Sequence, residues 1–334
     1  MQPKIEKSKA AILKALQECD GATGADRLVH KLDAMGISLQ PRTVRYYLMQ
    51  LDREGLTRFV GRRQGRELTP RGREELAHAN VAEKLGFIAA KVDALGYQMS
   101  FDRHTGRGSI ITNVALIDRH AIGVAMEAMR GVFNAGLGMG RLLRLATAGQ
   151  RVGHVSVPEG MVGVGPVCSV TMNGILLKEA IPVTSRFGGL LEMRDGEPIR
   201  FVELIEYSGT TLDPLEAFIF AGMTRVRECV RTGTGLIGAS FREIPAVAVQ
   251  GVERLRRDLD RQGLGGILAV GKPSRPLFGV PVAEGRAGII VIGGLNPVAA
   301  AYETGVRLSM LSLAGLEEFS TFMDYREIRV PGGA

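Results

Sequence analysis

The stretch that decides the fold of the N-terminal part is PRTVRYYLMQLDREGLTRFVGRRQGRELTPRGREEL, residues 41–76. Its first third repeats apolar residues at i, i+3, i+4 and i+7, which predicts an amphipathic helix from Pro41 to about Glu54. The apolar run TRFV (57–60), a glycine-bounded turn and the run RELT (66–69) then predict a short β-hairpin. One helix followed at once by a basic hairpin is typical of a winged helix-turn-helix domain.

Two further helices are predicted upstream of this stretch. Apolar residues recur at helical spacing over residues 4–18. A second helical stripe follows Thr23, an N-cap candidate, and closes at Gly36. Three helices and a hairpin complete the winged-helix layout, which we assign to residues 1–78.

Positive charge is concentrated in this N-terminal part. The 334-residue chain has a net charge of +7, of which residues 1–84 carry +5. Within them, residues 58–73 hold six arginines against one glutamate. Because the positive charge is concentrated in so short a segment, it favours a polyanion-binding surface over a solvated basic loop.

The candidate DNA contacts lie at the start of the predicted third helix and on the hairpin. Arginine can bond both acceptors of a guanine in the major groove, and arginines on a hairpin can neutralise phosphates or enter the minor groove. A surface helix with exposed arginines, or a winged helix that binds protein, is the alternative. The candidates are Arg42, Thr43, Arg45, Tyr46, Arg62, Arg63 and Arg66.

The remaining chain is predicted to form a connecting helix over residues 79–100 and a regulatory domain over 101–334. Strand-like runs alternate with helical ones here, so the fold class expected for the whole chain is multidomain α/β (α+β). One helix is expected after Asp213-Pro214.

A weak internal repeat divides this regulatory domain. TGRGSI (105–110) matches TGTGLI (232–237), and GGLL (188–191) matches AGII (287–290). Two related halves are therefore expected, at about 101–230 and 231–330.

Several classes of function find no support in the sequence. Three scattered cysteines argue against a disulfide framework or a zinc site, and no histidine or serine motif has catalytic spacing. Residues 233–238 (GTGLIG) have the G-x-G-x-x-G spacing of a dinucleotide site, but a predicted helix precedes them where that motif requires a strand. We expect no catalytic residues, no metal and no cofactor. No apolar run is long enough to span a membrane, so a cytoplasmic protein is expected.

Polar residues embedded in apolar runs are the candidates for a small-anion site. Hydroxyls, an arginine and backbone amides near a helix start can hold a carboxylate, although Thr211 or Asp213 could equally cap the helix that begins near Pro214. The candidate ligand contacts are Ser185, Arg186, Thr210, Thr211 and Cys168, the last with a buried structural thiol as its first reading.

Nearly the whole chain resembles the NrpR family of nitrogen-responsive transcriptional repressors. The residues that carry the resemblance are PRTVRYYLMQLDREGLT (41–57), GPVCSVTMNGILLKEAIPVTSRFGGLLEM (165–193), FVELIEYSGTTLDPLEAFI (201–219) and GLIGASFREIPA (235–246). The resemblance implies a winged helix joined to one regulatory domain, and binding to palindromic duplex DNA operators as a homodimer or higher homo-oligomer. It also implies repression of nitrogen-assimilation genes, release of DNA by 2-oxoglutarate and, in some members, a PII-type signalling partner.

Three other readings remain open at this point. One is a winged-helix regulator that senses a different small anion. Another is a metabolic enzyme fused to a DNA-binding domain, and the last is a scaffold whose winged helix binds protein or RNA.

Overall fold

The structure is a computed structural model that describes residues 3–17, 19, 21–34, 39–61, 64–74 and 88–329. The chain divides into two compact units, Met1–Gly86 and Phe87–Ala334. Each unit has its own apolar core.

The first unit contains three helices and a two-stranded antiparallel hairpin. The elements are α1 (Pro3–Gln17), α2 (Ala25–Ala34), α3 (Pro41–Arg53), β1 (Thr57–Gly61) and β2 (Gly65–Leu68). Residues 70–74 are again helical. The apolar stripes of all three helices meet in one buried cluster with Leu56 and Leu68. This arrangement confirms the predicted winged helix.

Thr23 does not cap α2 as predicted. Its backbone forms an antiparallel bridge with Arg66, through Thr23 N to Arg66 O (2.8 Å) and Arg66 N to Thr23 O (3.0 Å). Gly65 makes this approach possible, because a Cβ there would lie 2.2 Å from the Thr23 carbonyl oxygen. The segment before α2 is therefore joined to the hairpin by one isolated antiparallel bridge.

The second unit consists of two five-stranded sheets with helices packed on them. Its helices are α4 (Ile88–Gln98), α5 (Ile122–Asn134), α6 (Thr171–Lys178), α7 (Pro214–Phe220), α8 (Val226–Thr232), α9 (Val249–Arg261) and α10 (Asn296–Tyr302). Its strands are β3 (Ser109–Asp118), β4 (Leu142–Ala146), β5 (Arg151–Val152), β6 (Val155–Ser156), β7 (Met161–Pro166), β8 (Thr184–Arg194), β9 (Glu197–Glu206), β10 (Gly235–Pro245), β11 (Ile267–Val270), β12 (Arg286–Ile292), β13 (Leu308–Glu318) and β14 (Met323–Asp324). All recorded strand pairs are antiparallel, so the α+β description applies.

Two helical predictions for this unit need adjustment. The helix predicted over 79–100 is described only as α4, which belongs to the second unit and packs on α6; residues 79–87 lie outside the described ranges. The single helix expected after Asp213 is two helices, α7 and α8. Gly222 adopts a left-handed φ of +66° between them, which breaks the helical hydrogen bonding.

The two predicted halves are visible as a repeated order of elements. From β3 onward the order strand, helix, strand, strand, helix, strand recurs from β10 onward, interrupted in the first half only by the small β5–β6 hairpin. The sheet orders are β13-β3-β7-β4-β14 and β11-β12-β10-β8-β9. The strand that ends the repeated order, β8 in the first half and β13 in the second, therefore pairs in the sheet of the other half.

This exchange explains why one sequence match was misleading. GGLL (188–191) lies in β8 and AGII (287–290) in β12, which flank β10 on opposite sides. Both strands are buried, so both sequences are apolar although they do not occupy equivalent places in the repeat.

Candidate functional site

The exposed face of α3 carries the predicted base contacts. Val44, Leu48 and Leu51 are buried in the core of the first unit. Arg42, Arg45 and Tyr46 are exposed, and Thr43 is half-buried. The helix therefore presents a cationic, hydrogen-bonding surface of the kind that enters a major groove.

Arg45 already has an acidic neighbour on this surface. Its Nη2 lies 2.9 Å from Asp26 Oδ1, and the two side chains are 58% and 76% exposed. Ion pairs this exposed contribute little stability. Arg45 can therefore exchange Asp26 for a base edge or a phosphate at small cost.

The hairpin arginines occupy different places. Arg66 donates from Nε to Asp52 Oδ2 (2.7 Å), and its guanidinium lies 5.1 Å from the centre of the Phe59 ring. Asp52 also accepts a hydrogen bond from Thr57 Oγ1 (2.6 Å). This α3 side chain therefore contacts both strands of the hairpin, Thr57 in β1 and Arg66 in β2. Arg66 thus anchors the hairpin, and its contact with DNA stays a prediction. Arg62 and Arg63, predicted at the tip, lie outside the described residues.

The predicted ligand contacts lie in several elements of the second unit. Cys168 is buried between β7 and α6, and Ser185 in β8 accepts a hydrogen bond from Asn173 Nδ2 (2.9 Å). Thr210 Oγ1 accepts from Leu212 N (3.1 Å) within its own turn, and Thr211 is half-buried.

The capping alternative is realised by a neighbour of these threonines. Asp213 Oδ1 accepts from the backbone N–H of Leu215 (3.0 Å) and of Glu216 (3.1 Å) at the start of α7. Burial raises the pKa of this carboxyl to about 6.

Arg186 is engaged with a buried carboxylate. Its Nη1 lies 2.7 Å from Oε1 of Glu243, whose side chain is 6% exposed. Arg286 approaches the other oxygen of Glu243, with Nε at 3.7 Å. A ligand carboxylate at Arg186 would therefore compete with Glu243.

The adjacent Arg242 was not predicted as a site residue. It is completely buried on β10, and its Nε, Nη1 and Nη2 have no hydrogen-bond partner among the described residues. One signal in the sequence points to it, an arginine within the mainly apolar run GLIGASFREIP. A sequence alone does not distinguish a buried arginine on a strand from an exposed one.

The described part of the chain contains neither a candidate metal site nor a candidate membrane span. No group of three or more His, Cys, Asp or Glu side chains there is placed to hold a metal ion. No helix there has the length and apolar composition required to span a membrane.

A winged helix with an exposed recognition face, joined in one chain to a separate two-sheet unit, defines a winged-helix transcriptional regulator. Residues 10–76 match the family model described as Ribonuclease R winged-helix domain. Residues 85–324 match the model described as NrpR regulatory domains NRD1 and 2. The chain belongs to the NrpR family, which confirms the resemblance found in the sequence.

Similar proteins carry the same assignment over most of the chain. The global nitrogen regulator NrpRI of Methanosarcina mazei is 31% identical over 98% of this chain and 99% of its own length. The global nitrogen regulator NrpR of Methanococcus maripaludis is 29% identical over 93% of this chain, which spans only 54% of that relative. These relatives are named as regulators, so the chain is a nitrogen-responsive transcriptional regulator and not an enzyme.

A solved structure supports the same fold. The crystal structure of a nitrogen repressor-like protein from Methanococcus jannaschii aligns with a TM-score of 0.60 at 25% identity. The alignment covers 72% of this chain and 98% of the solved chain.

Proposed function

We propose that this protein represses nitrogen-assimilation genes in the cytoplasm and is released from its operators by 2-oxoglutarate. The observation that carries the proposal is the presence in one chain of the exposed Arg42–Tyr46 face and a regulatory unit of the NrpR type. The first supplies contacts to duplex DNA, and the second supplies a domain that an effector can act on.

The repressor acts as a homodimer or higher homo-oligomer in this proposal. Two winged helices then read half-sites separated by about 34–36 Å, one turn of DNA. An effector that favours another spacing of the winged helices weakens operator binding. A 100-fold release requires the effector to prefer the non-binding state by about 2.7 kcal/mol, an ordinary coupling energy.

The predicted contacts Ser185, Arg186, Thr210, Thr211 and Cys168 form part of this proposal, as does a PII-type signalling protein as a further partner. The direct hydrogen bond between Ser185 and Asn173 supports a polar environment at the start of α6. Arg186 pairs with Glu243, so a ligand carboxylate at Arg186 would have to displace that side chain.

The test is a DNA-binding titration with the full-length protein. A duplex selected from a random pool serves as the operator, and fluorescence anisotropy measures its affinity with 2-oxoglutarate, glutarate or glutamate present. We expect 2-oxoglutarate alone to weaken binding, by about 100-fold at saturation. If no duplex is preferred in the selection, the proposed operator binding is wrong. If another anion releases the DNA, that anion and not 2-oxoglutarate is the effector. Consumption of 2-oxoglutarate during the titration would instead favour an enzyme.

A further inference from the structure

Arg242 combines complete burial with an unpaired charged group. Its side chain has no solvent exposure, and its three guanidinium nitrogens find no acceptor among the residues that the structure describes. A buried charge without a partner is strongly unfavourable, and an apolar side chain of similar length would avoid this cost. We therefore expect the Arg242 guanidinium to bind an anion that is not among the described residues.

The strand geometry shows where this group lies. On β10, Phe241 belongs to one apolar cluster of the second unit and Ile244 to the other. Because side chains alternate along a strand, Arg242 is on the same face of β10 as Ile244, the face covered by the cluster that contains Cys168 and Tyr207. Its neighbour on β8 is Ser185.

Neutral polar groups surround Arg242 on this side. Burial raises the pKa of the Cys168 thiol to about 12 and raises that of the Tyr207 hydroxyl, and nearby Arg242 opposes both shifts. Both groups therefore remain uncharged at neutral pH and do not neutralise the guanidinium.

The acidic groups of the region are occupied elsewhere. Glu243 is bound by Arg186 and approached by Arg286, while Asp213 accepts from two backbone N–H groups at the start of α7. Neither carboxylate accepts a hydrogen bond from Arg242. The same region holds a second unsatisfied group, because Oδ1 of Asn173, whose amide donates to Ser185, has no donor.

The chemistry of this place selects the class of ligand. A guanidinium presents parallel N–H groups that match the two oxygens of a carboxylate. A single positive charge within an apolar cluster does not suit a polyphosphate or a nucleotide, which carry several negative charges. It suits a small organic acid whose carbon chain packs against apolar side chains.

We propose that Arg242 is the buried receptor for one carboxylate of a small organic acid, held between β10 and the two segments that contain Cys168, after β7, and Tyr207, after β9. The proposal rests on the proposed function in one respect, that the second unit binds an effector. Arg242 lies in the second half of the repeat and Cys168 in the first, so such a ligand contacts both halves. Binding can therefore change how the halves pack, which is the kind of change a gated repressor requires.

The experiment measures anion binding directly, without DNA. Full-length wild type, Arg242→Met and Arg242→Lys are dialysed and titrated calorimetrically with 2-oxoglutarate, citrate, glutamate and phosphate. Arg194→Met is the matched control, because this exposed arginine lies on neighbouring β8 and pairs with Glu192. We expect the wild type and Arg194→Met to bind a carboxylate equally. Arg242→Met should bind it at least about 100-fold more weakly, and Arg242→Lys about 10-fold more weakly.

The outcomes separate this proposal from the proposed function. If the wild type and folded Arg242→Met bind 2-oxoglutarate equally well, the Arg242 site is wrong, while 2-oxoglutarate remains the proposed effector. Binding of citrate but not 2-oxoglutarate, lost in Arg242→Met, supports the site and removes the proposed effector. If no anion binds the wild type, or phosphate binds in preference to carboxylates, the site is overturned. If Arg242→Met does not fold, undiminished binding by Arg242→Lys overturns it.

Discussion

Glu243 illustrates how a buried carboxylate depends on its partners. Arg186 bonds one of its oxygens, and Arg286 also donates from Nη2 to the Glu243 backbone carbonyl (2.9 Å). Removal of one partner leaves buried negative charge incompletely compensated. We therefore expect Arg186→Ala to lower the free energy of unfolding by about 1–2 kcal/mol, since the arginine itself is half exposed.

A control with the same arrangement is available on the same sheet. Arg194 and Arg200 share Glu192, and the Arg200 side chain is 66% exposed. Urea unfolding of Arg200→Ala should show a change below about 0.5 kcal/mol. A double-mutant cycle of Arg186→Ala with Glu243→Gln should give a coupling energy near 1 kcal/mol, and a coupling near zero would show that the pair contributes nothing.

Asp213 makes stability depend on pH. Burial raises its pKa from the ordinary 3.8 to about 6, so the folded state binds its proton more tightly than the unfolded state. The contribution of the Asp213 carboxyl to the free energy of unfolding is therefore most favourable below pH 4. It falls as the pH rises to about 6 and stays constant above pH 6. Asp213→Asn keeps the helix cap and removes the charge. We expect the free energy of unfolding of this variant to exceed that of the wild type by up to about 3 kcal/mol at pH 7. The two free energies should be equal near pH 3.5.

Chemical denaturation at several pH values checks this expectation. The quantity to follow is the difference between variant and wild type, because other carboxyl groups titrate in both. A difference that stays constant from pH 3.5 to pH 7 would show that Asp213 has an ordinary pKa.

At the scale of elements, the hairpin of the first unit depends on a glycine. Gly65 has φ of +92°, and a Cβ there would collide with the Thr23 carbonyl, whereas Gly21 has φ of +93° with nothing within 4 Å. Alanine at Gly21 costs only backbone strain, about 1 kcal/mol. Alanine at Gly65 must also break the Thr23–Arg66 bridge, so we expect a loss of more than about 3 kcal/mol. Equal thermal shifts for the two variants would show that the bridge is unimportant.

The recognition helix can be tested separately from the hairpin. Arg45→Ala removes one exposed side chain and its surface pair with Asp26, so stability should change little. We expect DNA binding to weaken by about 1–3 kcal/mol, with reduced preference for the selected duplex over a scrambled one. Anisotropy titrations with both duplexes check this. An equal loss on both duplexes would show that Arg45 contacts phosphate only.

Local sequence patterns predicted the elements of the first unit but not the site of the second. The stripe Val44, Leu48, Leu51 is set by helical period within one segment, so α3 ends within a residue of its predicted end. Arg242 owes its burial to strands and loops far away in the sequence, which no local pattern records. The same holds for Arg186, whose partner Glu243 is 57 residues distant.

At the scale of the whole molecule, the exchange of strands joins the two halves of the second unit. β8 completes the sheet built around β10, and β13 completes the sheet built around β3. The repeat in the sequence predicts two related halves, but not the exchange of a strand between them. Pairing between strands so distant in sequence is set by the sheet as a whole, which is why the sequence did not predict it.

This exchange predicts that neither half folds alone. A fragment of residues 87–231 contains β8 without its partner β10, and a fragment of residues 234–334 contains β13 without its partner β3. Each would expose unpaired strand edges and apolar surface. We expect both fragments to lack cooperative thermal unfolding when separate and to regain it when mixed. Residues 87–334 as one fragment are the control and should unfold cooperatively. Cooperative unfolding of either half alone would show that the exchanged strand is dispensable, and that the halves are independent modules.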